Sequence, residues 1–158
     1  MELYKPYNHI SQLNENIYFG KYPCNEVLED LNKLDIQLIV NLTTKNENLD
    51  SYNTTIPIIN KPITDRKILQ DNILIEFIEI LQKYKSKPIY IHCKGGHGRS
   101  GVVAGYLYGI INNLPYSKVL EELKIAHNRR KIVNTKCRKL GCPQTRCQKE
   151  QLQRLLKK

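Results

Sequence analysis

Along the chain, apolar residues fall into short segments that alternate between strand-like and helix-like spacing. Ile17-Tyr18-Phe19 reads as a strand stopped at Gly20, and Val27, Leu28, Leu31 and Leu34 recur at helical spacing over residues 26–34. Leu38-Ile39-Val40-Asn41-Leu42 is a buried type of strand, whereas Ile56-Pro57-Ile58-Ile59 is a short edge type, because proline cannot donate to a ladder. Ile73/Leu74, Phe77/Ile78 and Leu81 form the stripe of a second helix, for which Asp71 is the expected cap. Ile89-Tyr90-Ile91 is again strand-like, and Val102-Val103, Tyr106-Leu107 and Ile110-Ile111 follow at helical spacing. Past a turn at Asn112-Asn113 and Pro115, Val119, Leu120, Leu123 and Ile125/Ala126 predict another helix, and residues 148–156 a last one. Residues 1–12 carry no such period and read as an N-terminal tail. The alternation predicts an α/β fold, residues 1–158 forming one domain, with a mostly parallel sheet of about four to five strands covered by helices on both faces. In such sheets ligands lie at the carboxyl ends of the strands.

One of those ends carries the most specific stretch of the chain, His92-Cys93-Lys94-Gly95-Gly96-His97-Gly98-Arg99-Ser100-Gly101. Five residues, three of them glycine, separate a thiol from a guanidinium. Glycine lets the backbone curl until successive N–H groups point inward, giving a concave anion nest with Arg99 as its clamp. The nest joins a strand to a helix N-terminus, where the dipole and free N–H groups favour an anion, whether phosphate or the thiolate of Cys93. Of the five cysteines (24, 93, 137, 142 and 147) only Cys93 precedes an Arg by six residues in that context. This argues against the plainer reading, a structural cysteine beside a glycine turn. Cys137, Cys142 and Cys147 with His127 invite a zinc reading, but four-residue gaps without a Cys-x-x-Cys pair are poor ligand spacing, so no metal is expected.

Composition narrows the setting. With 41% hydrophobic and 25% charged residues the chain has the make-up of a soluble globule, and its 158 residues suit a single core. The longest apolar candidate, residues 101–111, is too short to cross a membrane, and the N-terminus lacks a secretory pattern. An odd number of cysteines fits free thiols in a reducing, cytoplasmic compartment, with the nucleus as an alternative. The net charge of +10 resides in residues 124–158, which hold twelve Lys/Arg against one acid, Glu150. Such a basic segment suggests an anionic partner, whether acidic lipid, nucleic acid such as RNA, or a phosphorylated protein with acidic flanks, or else a solvated face with no partner.

The loop resembles the signature of the cysteine-dependent protein tyrosine phosphatase superfamily: His-Cys, five residues, Arg, Ser/Thr. The small dual-specificity members are the most similar in size. The resemblance implies that Cys93 attacks phosphorus and that Arg99 and the amides of Lys94, Gly95, Gly96, His97 and Gly98 hold the phosphoryl oxygens. It also implies that Ser100 assists departure of the sulfur and that His92 orients the loop. No cofactor is implied. Cleavage of an ester needs a proton for the leaving oxygen, supplied from a separate loop. In this family an aspartate after a Pro/Ile stretch does so, which singles out Asp65 in Lys61-Pro62-Ile63-Thr64-Asp65-Arg66, with Asp71 as rival. Pro143-Gln144-Thr145-Arg146-Cys147-Gln148 looks like the family's Pro-x-Thr-x-x-Gln segment, suggesting Gln148 for positioning water. No counterpart of the pocket-deepening tyrosine loop of the larger tyrosine-specific enzymes is evident, which implies a shallow pocket admitting phosphotyrosine, phosphoserine and phosphothreonine of protein substrates. Lys94, and His97 as a second potential cation, also make the loop similar to those of phosphoinositide phosphatases. RNA 5′-triphosphatase activity and a non-catalytic phosphate-binding module are the remaining alternatives.

Overall fold

The computed structural model describes residues 5–156. Five strands, β1 (Ile10–Gln12), β2 (Ile17–Gly20), β3 (Leu38–Asn41), β4 (Ile58–Asn60) and β5 (Ile89–His92), form one sheet in the order β1-β2-β5-β3-β4. Only β1 runs antiparallel to its neighbour; the other pairings are parallel. Helices α1 (Asn25–Lys33), α2 (Asp71–Leu81), α3 (Arg99–Asn112), α4 (Tyr116–Arg129), α5 (Thr135–Leu140) and α6 (Arg146–Leu155) complete the α/β fold.

Strand alternation divides the core. Ile17, Phe19, Leu38, Val40, Ile89 and Ile91 point to the large cluster built with Leu74, Phe77, Ile78 and Leu81 of α2, Val103 and Leu107 of α3, Leu123 of α4 and Leu152 of α6. Tyr18, Ile39 and Tyr90 point the other way, to Val27 and Leu31 of α1. Because β5 is flanked by β2 and β3, Gly20 and Asn41 lie beside His92, and three strand ends meet where the catalytic-type loop begins. The next helix, α3, is buried over most of its length, which explains why its apolar residues lie on more than one face.

Three local expectations are corrected and one helix is added. Residues 10–12 of the expected tail form β1, with Ile10 and Ser11 buried, whereas residues 1–4 lie outside the described residues. A three-residue strand is too short for its period to stand out. Asp71 is the first residue of α2 rather than its cap, which is Gln70. Its carboxylate instead accepts hydrogen bonds from Arg154 and Gln151 of α6. The last helix begins at Arg146, where Thr145 and Gln148 form a capping box, two residues earlier than its apolar pattern. The short basic helix α5, capped by the Asn134 side chain accepting from the Cys137 N–H, has no apolar stripe to announce it.

If β1 is an integral strand, Ile10→Ala should lower unfolding free energy by about 2–5 kcal/mol, the usual cost of truncating a buried isoleucine. Urea denaturation checks this, and a change within about 0.5 kcal/mol, the range of a surface substitution, would return the segment to a tail.

Candidate active site

β5 delivers Cys93 to the floor of the loop, where it is almost fully buried. Its Sγ accepts the Gly96 N–H at 3.2 Å and lies 3.3 Å from Ser100 Oγ, in the first turn of α3. A thiolate at this point would accept from that hydroxyl. The N-cap of α3 is Gly98, which has no side chain, so the amides of the first turn are left for an anion. Gly96 has φ +80°, and a Cβ there would sit 2.3 Å from the backbone of Gly20, so glycine is required by conformation and by packing alike.

Arg99 is 2% exposed, and its position is set by a residue that the sequence did not single out. Glu47 receives both Nη groups at 2.8 Å in a bidentate pair, and Nη1 also donates to the Ile63 carbonyl at 2.9 Å. Glu47 is itself fixed by the Thr44 N–H and hydroxyl across a single 3-10 turn. Its hydrogen bonds from Arg99 hold the carboxyl down at about 2, and Glu47, Cys93 and Asp65 together raise the pKa of Arg99 against the cost of burial. The buried Nε of Arg99 has no partner among the described residues, leaving a donor for a bound oxyanion. Asp65, largely exposed, stands at the rim with its carboxylate 3.3 Å from Arg99 Nη2.

His92 lies behind the loop. Its Nδ1 is 3.1 Å from the Cys93 carbonyl, which can only accept, so Nδ1 carries the proton and Nε2 accepts the Tyr52 hydroxyl at 2.9 Å. Burial holds the imidazole at about 4. His97 does not supply the cation expected of it. Its Nδ1 faces His127 Nε2 at 2.8 Å, and burial, with Arg130 nearby, lowers the two rings to about 4 and about 3. At neutral pH they form a neutral donor–acceptor pair, and Lys94 is the exposed cation of the loop.

Gln148 lies between the Asp65 loop and the catalytic loop. It is fully buried, its Oε1 accepts the Gln144 and Thr145 N–H groups, and its Nε2 donates to the Lys67 carbonyl while touching Gly98. This ties the Asp65 loop to α6. Thr145 Oγ1 to the Arg66 carbonyl and Gln151 Nε2 to the Leu69 carbonyl strengthen the tie. The three C-terminal cysteines are scattered in environment: Cys137 lines the cleft, Cys142 is buried beneath Gly101 with its thiol pushed up to about 12, and Cys147 lies against Arg66. The cleft over Cys93 measures about 250 Å³, bounded by Asp65, Lys94, His97, Arg99 and Asn134 among others. Two roomier hollows of about 500 and 640 Å³ share Tyr22 and Leu49, and the second reaches Lys94, but neither contains the thiol.

A thiol in an amide nest at the carboxyl edge of a parallel sheet, with a clamped guanidinium and a carboxylate at the rim, defines a phosphatase domain of the cysteine-dependent class. The chain belongs to the PTP-SAK family, the Swiss Army Knife protein DSP-PTPase phosphatase domain, whose model matches residues 20–146. It is 33% identical over 123 residues to the candidate tyrosine phosphatase 197R of Invertebrate iridescent virus 6, covering 69% of this chain and 44% of that protein. It is also 33% identical over 129 residues to 067L of Invertebrate iridescent virus 3, covering 75% and 53%. The chain thus spans about half the length of the curated relatives it matches. The fold is shared with the crystal structure of Tk-PTP in the active form, with TM-score 0.76 and 21% identity over 95% of this chain and 97% of that one.

Glu47 makes a pH-dependent prediction. Its folded pKa lies below the unfolded one, so its contribution to stability is complete above about pH 4.5 and is lost as pH falls through about 2. Glu47→Gln should therefore be less stable than the parent at pH 6, and the gap should narrow by pH 3. Urea unfolding at the two pH values measures it, and a constant gap would remove Glu47 from the acid response.

Proposed function

We propose that this domain, acting as one catalytic unit over residues 1–158, hydrolyses phosphotyrosine and phosphoserine/phosphothreonine in proteins through a phosphocysteine intermediate. The observation that carries the reading is Cys93 Sγ within hydrogen-bonding distance of both the Gly96 N–H and the Ser100 hydroxyl, beneath an arginine with an open Nε. The Cys93 thiolate attacks phosphorus, and the P–O ester bond breaks as the leaving oxygen takes a proton from Asp65. The nest amides and Arg99 stabilise the equatorial oxygens as charge redistributes. Water, deprotonated by the Asp65 carboxylate, then attacks the phosphocysteine. Inorganic phosphate leaves, and the sulfur departs as a thiolate that accepts from Ser100.

A cleft of about 250 Å³ with an exposed carboxylate at its rim suits phosphate esters on short as well as long side chains, which supports dual specificity. The neutral His97 removes one of two cations on which a phosphoinositide reading would lean. A binder without turnover needs neither nucleophile nor rim acid. As part of this reading the partners are phosphorylated proteins, with anionic lipid or RNA as alternatives for the basic residues 124–158, and the setting is the reducing cytoplasm or nucleus that keeps a thiol reduced. Among the described residues no helix is long and apolar enough to cross a membrane.

Cys93→Ser should abolish turnover of an aryl phosphate while phosphate binding persists, and retention of substantial activity would exclude covalent catalysis through sulfur. Asp65→Ala should slow hydrolysis of an alkyl phosphate by about 10²–10⁴-fold, the worth of a positioned proton donor, and that of an activated aryl phosphate far less. Equal losses on both would assign the proton to another group.

A further inference from the structure

We propose that the hollow enclosed by α4, α5 and α6 is a second anion site, which takes a phosphate group separate from the one at Cys93. It measures about 290 Å³ against about 250 Å³ for the cleft, so it accommodates a group of the same size. Lys124, His127 and Asn128 of α4, Arg138 and Lys139 of α5, and Lys149 of α6 line it, and no carboxylate does. Elsewhere on these helices basic side chains meet acids: Lys118 with Glu122 at 3.2 Å, Arg146 with Glu150 at 3.6 Å and Arg154 with Asp71 at 2.9 Å. None of Lys124, Lys139 or Lys149 has such a partner among the described residues.

Two members of the wall are held in place. Arg138 donates to the Asn128 and Arg130 carbonyls, which fixes its charge over the end of α4. His127 is 1% exposed and meets His97 through Nε2, while its Nδ1 has no partner among the described residues. In the tautomer in which His97 Nδ1 donates, His127 carries its proton on Nδ1 as a neutral donor. Four like charges converging on one concave surface repel, and an anion relieves that repulsion. The lining holds no Phe, Tyr or Trp on which a nucleobase could stack, so the chemistry selects a phosphate rather than single-stranded nucleic acid. The same histidine pair separates the hollow from the catalytic loop, placing the two sites back to back. Inorganic phosphate and a second phosphate on a multiply phosphorylated peptide share this chemistry.

The test does not depend on turnover. Inorganic phosphate is titrated into the full Cys93→Ser chain while backbone amide NMR shifts are followed at Gly95, Gly96 and Gly98 and, separately, at Asn128, Lys139, Gly141 and Lys149. Saturable shifts are expected in both groups. Lys139→Glu with Lys149→Glu should weaken the second set by about tenfold or more and leave the first set unchanged, because two charge-assisted contacts are lost. The corresponding Gln pair, which is neutral, should give an intermediate loss with an undisturbed spectrum elsewhere. In the Cys93-containing protein the Glu pair should leave aryl phosphate kinetics unchanged. If kcat/KM for a doubly phosphorylated peptide falls about tenfold while that for the singly phosphorylated peptide does not, the occupant is the substrate's second phosphate; if both are unchanged, it is free phosphate. Absence of saturable shifts around the hollow, shifts that survive charge reversal, or a response there to RNA or anionic vesicles but not to phosphate would each overturn the proposal.

Discussion

A nest that turns its amides inward must turn its carbonyls outward, and those carbonyls need donors. Arg130 supplies them. From the C-terminal end of α4 its guanidinium donates to the Gly95 carbonyl at 3.3 Å and the Gly96 carbonyl at 2.9 Å, holding the loop from behind. The side chain is 2% exposed, and no carboxylate contacts it among the described residues. A buried charge without a counter-ion costs several kcal/mol unless dipoles replace water. Here the two carbonyls, the Ser11 hydroxyl accepting from Nε and Nη2, and the face of Phe19 at 5.5 Å do so. Edge strand, catalytic loop and α4 are therefore joined through one cation, and an anion in the nest gains from its field.

The second arginine divides its donors differently. Both Nη groups of Arg99 are committed to Glu47, with one also engaged by Ile63, so the guanidinium plane is set before substrate arrives and Nε stays open. Preorganisation of this kind is where electrostatic catalysis draws its strength, because no reorientation accompanies the reaction. The rim carboxylate of Asp65 is held less firmly. Asp65 is exposed, but the carbonyls of Arg66, Lys67 and Leu69 after it are bonded by Thr145, Gln148 and Gln151, so the following segment is tied to α6 while the carboxylate remains in solvent. Gln148, donating to the Lys67 carbonyl and packed on Gly98, links that loop to the nest.

Strong periodicity and a ten-residue loop made β2, β3, β5, the principal helices and the Cys93–Arg99 pair legible in the sequence. What stayed hidden had no local signal. Glu47 lies in a polar stretch, Thr43-Thr44-Lys45-Asn46-Glu47-Asn48, and gains meaning only when the β3 end brings it to Arg99 across 52 residues. Arg130 is one basic residue in a basic run, indistinguishable by charge from exposed neighbours such as Lys131. Ser11 and Ile10 belong to a strand too short for a period to show. Asp71 was ambiguous for a related reason, since a carboxylate at a helix start serves as cap, dipole partner or ion-pair acceptor, and α6 decides among them by presenting Arg154.

The charge of residues 124–158 is likewise resolved only by the fold. A count of twelve cations against one acid treats them as one reservoir, yet they have separate environments. Arg130 is an interior group that shapes the loop, Arg138 caps the end of α4, Arg146 and Arg154 are paired with acids, and Lys124, Lys139 and Lys149 surround a hollow. Screening by salt acts weakly on the first and strongly on the last, since buried charges are little exposed to counter-ions. A basic segment of this composition can therefore be in part the scaffold of an anion site and in part a surface for anions, and the net charge alone does not separate the two.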